Sequence, residues 1–205
     1  MRDHFVITIG RQFGSGGKEI GEKLAQKLNV KCYDKELLAL AAKDSGLCKE
    51  MFEMHDEKPT NSFLYSIVMD TYSGIYNPQN MIEMPINQKV FLAQFDTIKK
   101  IADRESCIIV GRCADYALED LPGLTSIFIH ADMESRIKRI SEKYEIKENK
   151  AKDMIIKTDK RRSSYYNYYT NREWGSASSY NLSIDSGKLG IDKTVQLIEN
   201  YINII

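Results

Sequence analysis

The feature that most constrains this chain is a Val/Ile-rich run, Phe5 to Ile9, that passes without a break into Gly10-Arg-Gln-Phe-Gly14-Ser-Gly16-Gly17-Lys18 and then into a helical period. A short, continuously apolar run fits a strand covered on both faces, as parallel strands are. The glycines that follow allow φ > 0 and let backbone N–H groups approach an anion closely. The next helix N-terminus adds unpaired N–H groups and a positive dipole end. Gly14, Ser15, Gly16, Gly17 and Lys18 are therefore the candidate phosphate ligands, with Lys18 a point charge for a β- or γ-phosphate. The match to the phosphate-loop pattern GxxxxGK[ST] is imperfect. Aligned on Gly17-Lys18, Gln12 stands at the first glycine and Glu19 where a Ser or Thr would hold magnesium. Shifted by one residue, Gly16 is restored but Gly17 stands at the lysine position. A glycine-rich turn without a ligand is the alternative.

Four further runs read as strands: Val30 to Tyr33, Cys107 to Val110, Ser126 to Ile129 and Leu182 to Ile184. Between them lie helical stripes, Ile20/Leu24/Leu28, Phe91/Phe95/Ile98/Ala102 and Val195/Ile198/Ile202. This alternation predicts an α/β fold with right-handed crossovers. Two stretches interrupt it. Residues 48–88 are Met- and Tyr-rich with Pro59, Pro78 and Pro85, and residues 145–176 begin as a charged helix and end in a Tyr-Arg-Ser segment. Both read as excursions from one domain spanning 1–205. At 205 residues and a formal net charge of zero, the chain argues against a general basic coat for nucleic acid. No apolar run reaches the roughly 18 residues of a membrane span. Cys32, Cys48, Cys107 and Cys113 form no CxxC pair, as expected of reduced thiols in a cytoplasmic protein.

The candidate acceptor side lies at strand ends, where open α/β sheets bind ligands. Asp34 follows the second strand and reads either as a helix N-cap or as a ligand group. Arg112 follows the third, where a guanidinium can hold phosphate bidentately or pair with Asp115. The Met/Tyr stretch suits an adaptable pocket or, equally, a core or subunit contact. From Lys157 to Arg172 there are five basic residues and one acid, a local balance of +4, interleaved with Tyr165, Tyr166, Tyr168 and Tyr169. Such a segment fits a solvated helix face, a base-stacking surface or a cationic lid over a nucleotide.

The run ITIGRQFGSGGKEIGEKLAQKL with YDKELL, the segment GRCADYAL and the segment DKRRSSYYNYYTNREWG together resemble the cytidylate kinase-like proteins. That resemblance implies a P-loop kinase fold: a five-stranded parallel sheet flanked by helices, with an acceptor-binding insertion and a helical lid. It implies ATP with Mg²⁺, a nucleotide donor and a small phosphorylated acceptor, with CMP or dCMP the default. Arg161 and Arg162 match the lid arginines, Arg139 and Arg136 the arginines at the lid entry, and Arg112 with Asp115 the acceptor-binding segment. Catalysis would then fall to Lys18, Arg139, Arg161 and Arg162, and acceptor binding to Asp34, Arg112 and Asp115; no metal ligand can be named. At Asp34-Lys-Glu36 the chain replaces the serine-glycine segment of cytidylate kinases. A kinase for another small-molecule acceptor and a non-catalytic nucleotide-binding protein are the competing readings.

Overall fold

The computed structural model describes residues 4–58 and 84–205. Five strands form one sheet: β1 (Val6–Arg11), β2 (Lys31–Tyr33), β3 (Cys107–Val110), β4 (Leu124–His130) and β5 (Leu182–Asp185). All pair in parallel, in the order β2-β3-β1-β4-β5. The strand that leads into the glycine loop therefore lies at the centre, with β3 and β4 on its two sides. Side chains alternate across the sheet with the period of two that strands require. Ile108 and Val110 pack with Ile7, Ile9, Ile127 and Ile129 on one face, against Ile20 and Leu24 of α1 (Gly17–Leu28). Cys107 and Ile109 pack on the other, against Leu37 of α2 (Glu36–Ser45). A short α3 (Lys49–His55) follows, and α4 (Ile86–Arg104) adds Ile98 and Ile101 to that second face.

Among the described residues the remaining α-helices are α5 (Ala114–Ala117), α6 (Met133–Tyr144), α7 (Glu148–Thr170) and α8 (Ser186–Ile204), whose Val195 and Ile198 cover the first face. Asp132 caps α6 by accepting the Ser135 N–H at 2.9 Å. Asn29 ends α1 in the left-handed conformation. Strand β1 runs on to Arg11 because Gly10 and Arg11 keep register with Phe128 and Ile129. The glycine loop is thus shorter than the sequence predicts and begins at Gln12.

The 145–176 excursion is built mainly of α7. Its Ala151 and Ile155 pack on Ile140 of α6, and its Tyr165, Tyr166 and Tyr169 enter an aromatic cluster with Phe91, Phe128 and Tyr180. Tyr169 stacks on Phe91 with ring centroids 3.9 Å apart. These three tyrosines are core residues here, which sets aside the base-stacking reading for them. Of the Met/Tyr stretch, Met54 is exposed and Met84 packs beside the aromatic cluster. Met69, Met81, Tyr65, Tyr72 and Tyr76 lie outside the described residues. Among the described residues no helix is long and apolar enough to cross a membrane, and the four cysteines are free.

Candidate functional site

The site begins where β1 leaves the sheet. Gly14 and Gly16 have φ of +84° and +83°, values that an L side chain rarely adopts. Between them Ser15 is fully buried, and its Oγ donates to the Gln12 carbonyl at 2.9 Å. The Ser15 carbonyl accepts from Ser186 Oγ at 2.6 Å, and Gln12 Oε1 accepts the Ala131 N–H at 3.2 Å. The loop is held from β4 and α8 at once, so its shape does not depend on a ligand. Gly16 caps α1, and a Cβ there would run into Arg139 of α6 and Ile191 of α8. Arg139 Nη1 is buried against this loop and has no hydrogen-bond partner among the described residues. An unpaired guanidinium nitrogen over a glycine loop suits a phosphate oxygen.

Lys18 turns the other way. Its Nζ lies 3.0 Å from Asp34 and 3.6 Å from Glu22, and its side chain is 46% exposed. The hydrogen bond to Asp34 raises its pKa. Asp34 does not cap α2, whose N-cap is Lys35 without a side-chain cap bond. Its carboxylate instead joins Lys18 to Arg112 Nη1, 3.3 Å away. Burial pushes the Asp34 carboxyl up, but Arg112, Arg11 and Lys18 together hold it below its ordinary range.

Arg112 is buried at the end of β3, inside a run of three left-handed residues: Gly111 (φ +79°), Arg112 (+55°) and Cys113 (+54°). Two of the three are not glycine, and backbone strain of this kind gathers at functional sites. The strained turn points the guanidinium at Asp56, which it grips bidentately through Nε (3.0 Å) and Nη2 (3.1 Å). Next in the chain, Glu57 is buried with φ +50°. Its Oε1 accepts from Arg11 Nη1 at 2.7 Å and its Oε2 from Arg162 Nε at 3.1 Å. Burial pushes the Glu57 carboxyl up, and the surrounding Arg11, Arg162 and Arg112 charges hold it well below the carboxylate range.

The other predicted residues stand around this network. Asp115 does not pair with Arg112; it accepts from the Tyr166 hydroxyl at 2.6 Å, and burial raises its pKa. Arg136 pairs with Asp159 of α7, whose other oxygen accepts the Phe13 N–H at 2.7 Å. It fastens the loop to α7. Arg161 is exposed and takes no part in the network. The structure thus brings Lys18, Asp34, Arg112 and Arg162 together and places Arg139 over the loop. Sequence reading misses Arg11, Asp56 and Glu57. An adjacent acidic pair in a stretch lacking a strand pattern, opposite a cationic segment, is the one signal they leave.

Among the described residues no group of three acidic, Cys or His side chains could hold a metal ion. The carboxylates at the site are committed to arginine or lysine, and Ser15 Oγ to a carbonyl. Among the described residues these groups do not form a protein-held Mg²⁺ site.

A 2-3-1-4-5 parallel sheet flanked by helices, with a glycine loop after β1, defines a P-loop kinase fold. The chain belongs to the cytidylate kinase-like family, whose sequence model matches residues 6–188. Among solved structures it is similar to an uncharacterized protein from Eubacterium ventriosum, at 32% identity and TM-score 0.74 over 98% of this chain and 99% of that one. It is also similar in fold to shikimate kinase from Bacteroides thetaiotaomicron (15% identity, TM-score 0.55, 97% and 98% of the two chains). Shikimate kinase from Acinetobacter baumannii, solved with shikimate, gives 11% identity and TM-score 0.53 over 98% and 94%. No curated protein matches the chain.

Proposed function

We propose that the chain is a phosphotransferase that moves the γ-phosphate of ATP to a nucleoside monophosphate, with CMP or dCMP the default acceptor in keeping with its family. One observation carries this reading: the glycine loop, the acceptor-side Arg112 and the lid residue Arg162 converge at the carboxyl end of the sheet, linked through the Asp34, Asp56 and Glu57 carboxylates. Phosphoryl transfer consists mostly of positioning and charge stabilisation, which such an array supplies. Gly14, Ser15, Gly16 and Gly17 would cradle the donor phosphates, Arg139 would neutralise them, and Arg162 would follow charge onto the migrating group. Arg112 would hold an acceptor phosphate. The attacking phosphate oxygen is already anionic, so no general base is required. Mg²⁺ arriving with ATP would supply Lewis-acid charge stabilisation. Free thiols fit a reducing cytoplasm.

A second reading follows from Asp34. A buried carboxylate beside Arg112 repels a phosphate and accepts from a hydroxyl, so an acceptor presenting an alcohol to Asp34 is favoured by that contact. One assay separates the readings. Purified protein is given ATP, Mg²⁺ and a panel of nucleoside monophosphates and hydroxylated acids while ADP is measured. ADP formation dependent on CMP or dCMP supports the first reading, dependence on a hydroxyl acceptor supports the second, and ATP binding without ADP in any mixture marks a non-catalytic nucleotide binder.

A further inference from the structure

The loop carries Gly17 at one alignment of its lysine position, and Lys18 is drawn away to Asp34. A different cation occupies the space. Arg11 is the last residue of β1 and is 8% exposed. Its stem lies over Gly17, where a Cβ would come within 2.5 Å of the Arg11 Cβ. Its guanidinium passes Gly111, where a Cβ would run into Nη1. Two glycines thus leave a channel from β1 to the end of β3, and Arg11 fills it. At its far end stands the Glu57 carboxylate, with Arg162 on the opposite oxygen and Arg162 Nη1 reaching back to the Arg11 carbonyl at 3.3 Å.

We infer that Arg11 and Arg162 form a clamp for a phosphoryl group of the donor nucleotide, and that Glu57 occupies the clamp as an internal stand-in until that group displaces it. The inference rests on the phosphotransferase reading above. A buried guanidinium (Arg11) and a part-buried one (Arg162) with a shared focus require an anion, and carboxylate and phosphoryl oxygens are alternative partners for the same N–H donors. A terminal phosphoryl group carries more charge and one more terminal oxygen than a carboxylate. Glu57 is also in a left-handed conformation that L residues disfavour, so its release relieves backbone strain. The lid residue Arg162 is therefore held over the loop by the chain's own anion, and a ligand phosphate takes over that contact.

The test is calorimetric titration of the full chain with ATP and, separately, with pyrophosphate. The proteins are wild type, Arg11→Ala, Arg11→Lys, Lys18→Ala and Glu57→Gln, each checked for folding by circular dichroism. Arg11→Ala should weaken ATP and pyrophosphate at least about tenfold, with partial recovery in Arg11→Lys, and Lys18→Ala should weaken them clearly less than Arg11→Ala does. Glu57→Gln keeps the side-chain shape but replaces one acceptor by a donor, and should tighten both ligands about threefold or more. If Arg11→Ala does not fold, Glu57→Gln decides the matter: unchanged or weaker binding overturns the stand-in. ATP affinity indifferent to Arg11 but lost in Lys18→Ala overturns the clamp and leaves the kinase reading standing. Arg11-dependent pyrophosphate binding without ATP binding supports the clamp and defeats the ATP reading. No binding of either probe defeats both.

Discussion

Asp115 is a carboxylate that burial has taken from water, and the Tyr166 hydroxyl is its side-chain donor at 2.6 Å. Tyr166→Phe would leave that oxygen without its donor at little change in packing, a defect that costs about 1–3 kcal/mol. The urea midpoint of Tyr166→Phe should fall accordingly with an unchanged slope, and an unaltered midpoint would show that water replaces the hydroxyl. Gly16 poses a different constraint, since its φ of +83° and its closeness to Arg139 both exclude a side chain. Gly16→Val should fold, with the loop displaced, and bind ATP at least about tenfold more weakly; wild-type affinity would remove the loop from the donor site. At this scale the sequence shows types and spacings but not directions. Gly14, Ser15 and Gly16 are legible as a loop because glycine density after a buried strand has one common use. Arg11 is not, because its role depends on the missing Cβ of Gly17 beside it in space. Lys18 carries the right charge, but Asp34 and Glu22 draw it toward β2.

Helix α7 divides along its length. Its last turns are anchored in the core by Tyr165, Tyr166 and Tyr169, while its middle meets the site through Asp159 and Arg162. Arg161 and Arg162 are neighbours in sequence, yet about 100° of helical turn separates them, and only Arg162 faces the site. Arg162→Ala should therefore lower kcat at least about tenfold, equal to roughly 1.4 kcal/mol of barrier, and Arg161→Ala much less. Steady-state kinetics with the acceptor found by the ADP assay checks this, and equal losses at both positions would make the effect one of general lid charge. The strands are the most legible elements, because apolar runs covered on both faces leave little choice. The sequence places β3 to the residue, while register with β4 carries β1 two residues past the point where its apolar pattern stops. The lid's tyrosines are misleading for the opposite reason, since interleaved charge conceals a face that is apolar only in three dimensions.

Across the whole molecule, one ion network joins pieces far apart in sequence: Glu57 reaches Arg11 across 46 residues and Arg162 across 105, and Arg112 reaches Asp34 across 78. It ties the end of α3, the centre of the sheet and α7 into one body, and its charges make that body sensitive to acid. Asp34 and Glu57 titrate below their ordinary values of 3.8 and 4.5 in the folded chain. Groups shifted in this sense contribute their full stability above the unfolded values and lose it as pH falls toward the folded ones. Each then costs about 1.4 kcal/mol per pH unit across that window. Asp115 works against this trend, since its raised pKa means that protonation on acidification favours the folded state. Glu105 and Asp132 are also shifted down, by hydrogen bonds from Arg104 and Ser135, so lowered carboxylates outnumber the raised Asp115 and urea stability should fall as pH drops below about 4.5. Glu57→Gln removes one of these acid-sensitive groups. At pH 7 it should be about 3–5 kcal/mol less stable than wild type, because its arginines lose their buried partner. Below pH 4.5 its stability should decline less steeply than that of wild type, so that the two curves approach each other. Parallel curves would place the acid sensitivity outside Glu57 and deny this network its role in holding the lid to the sheet.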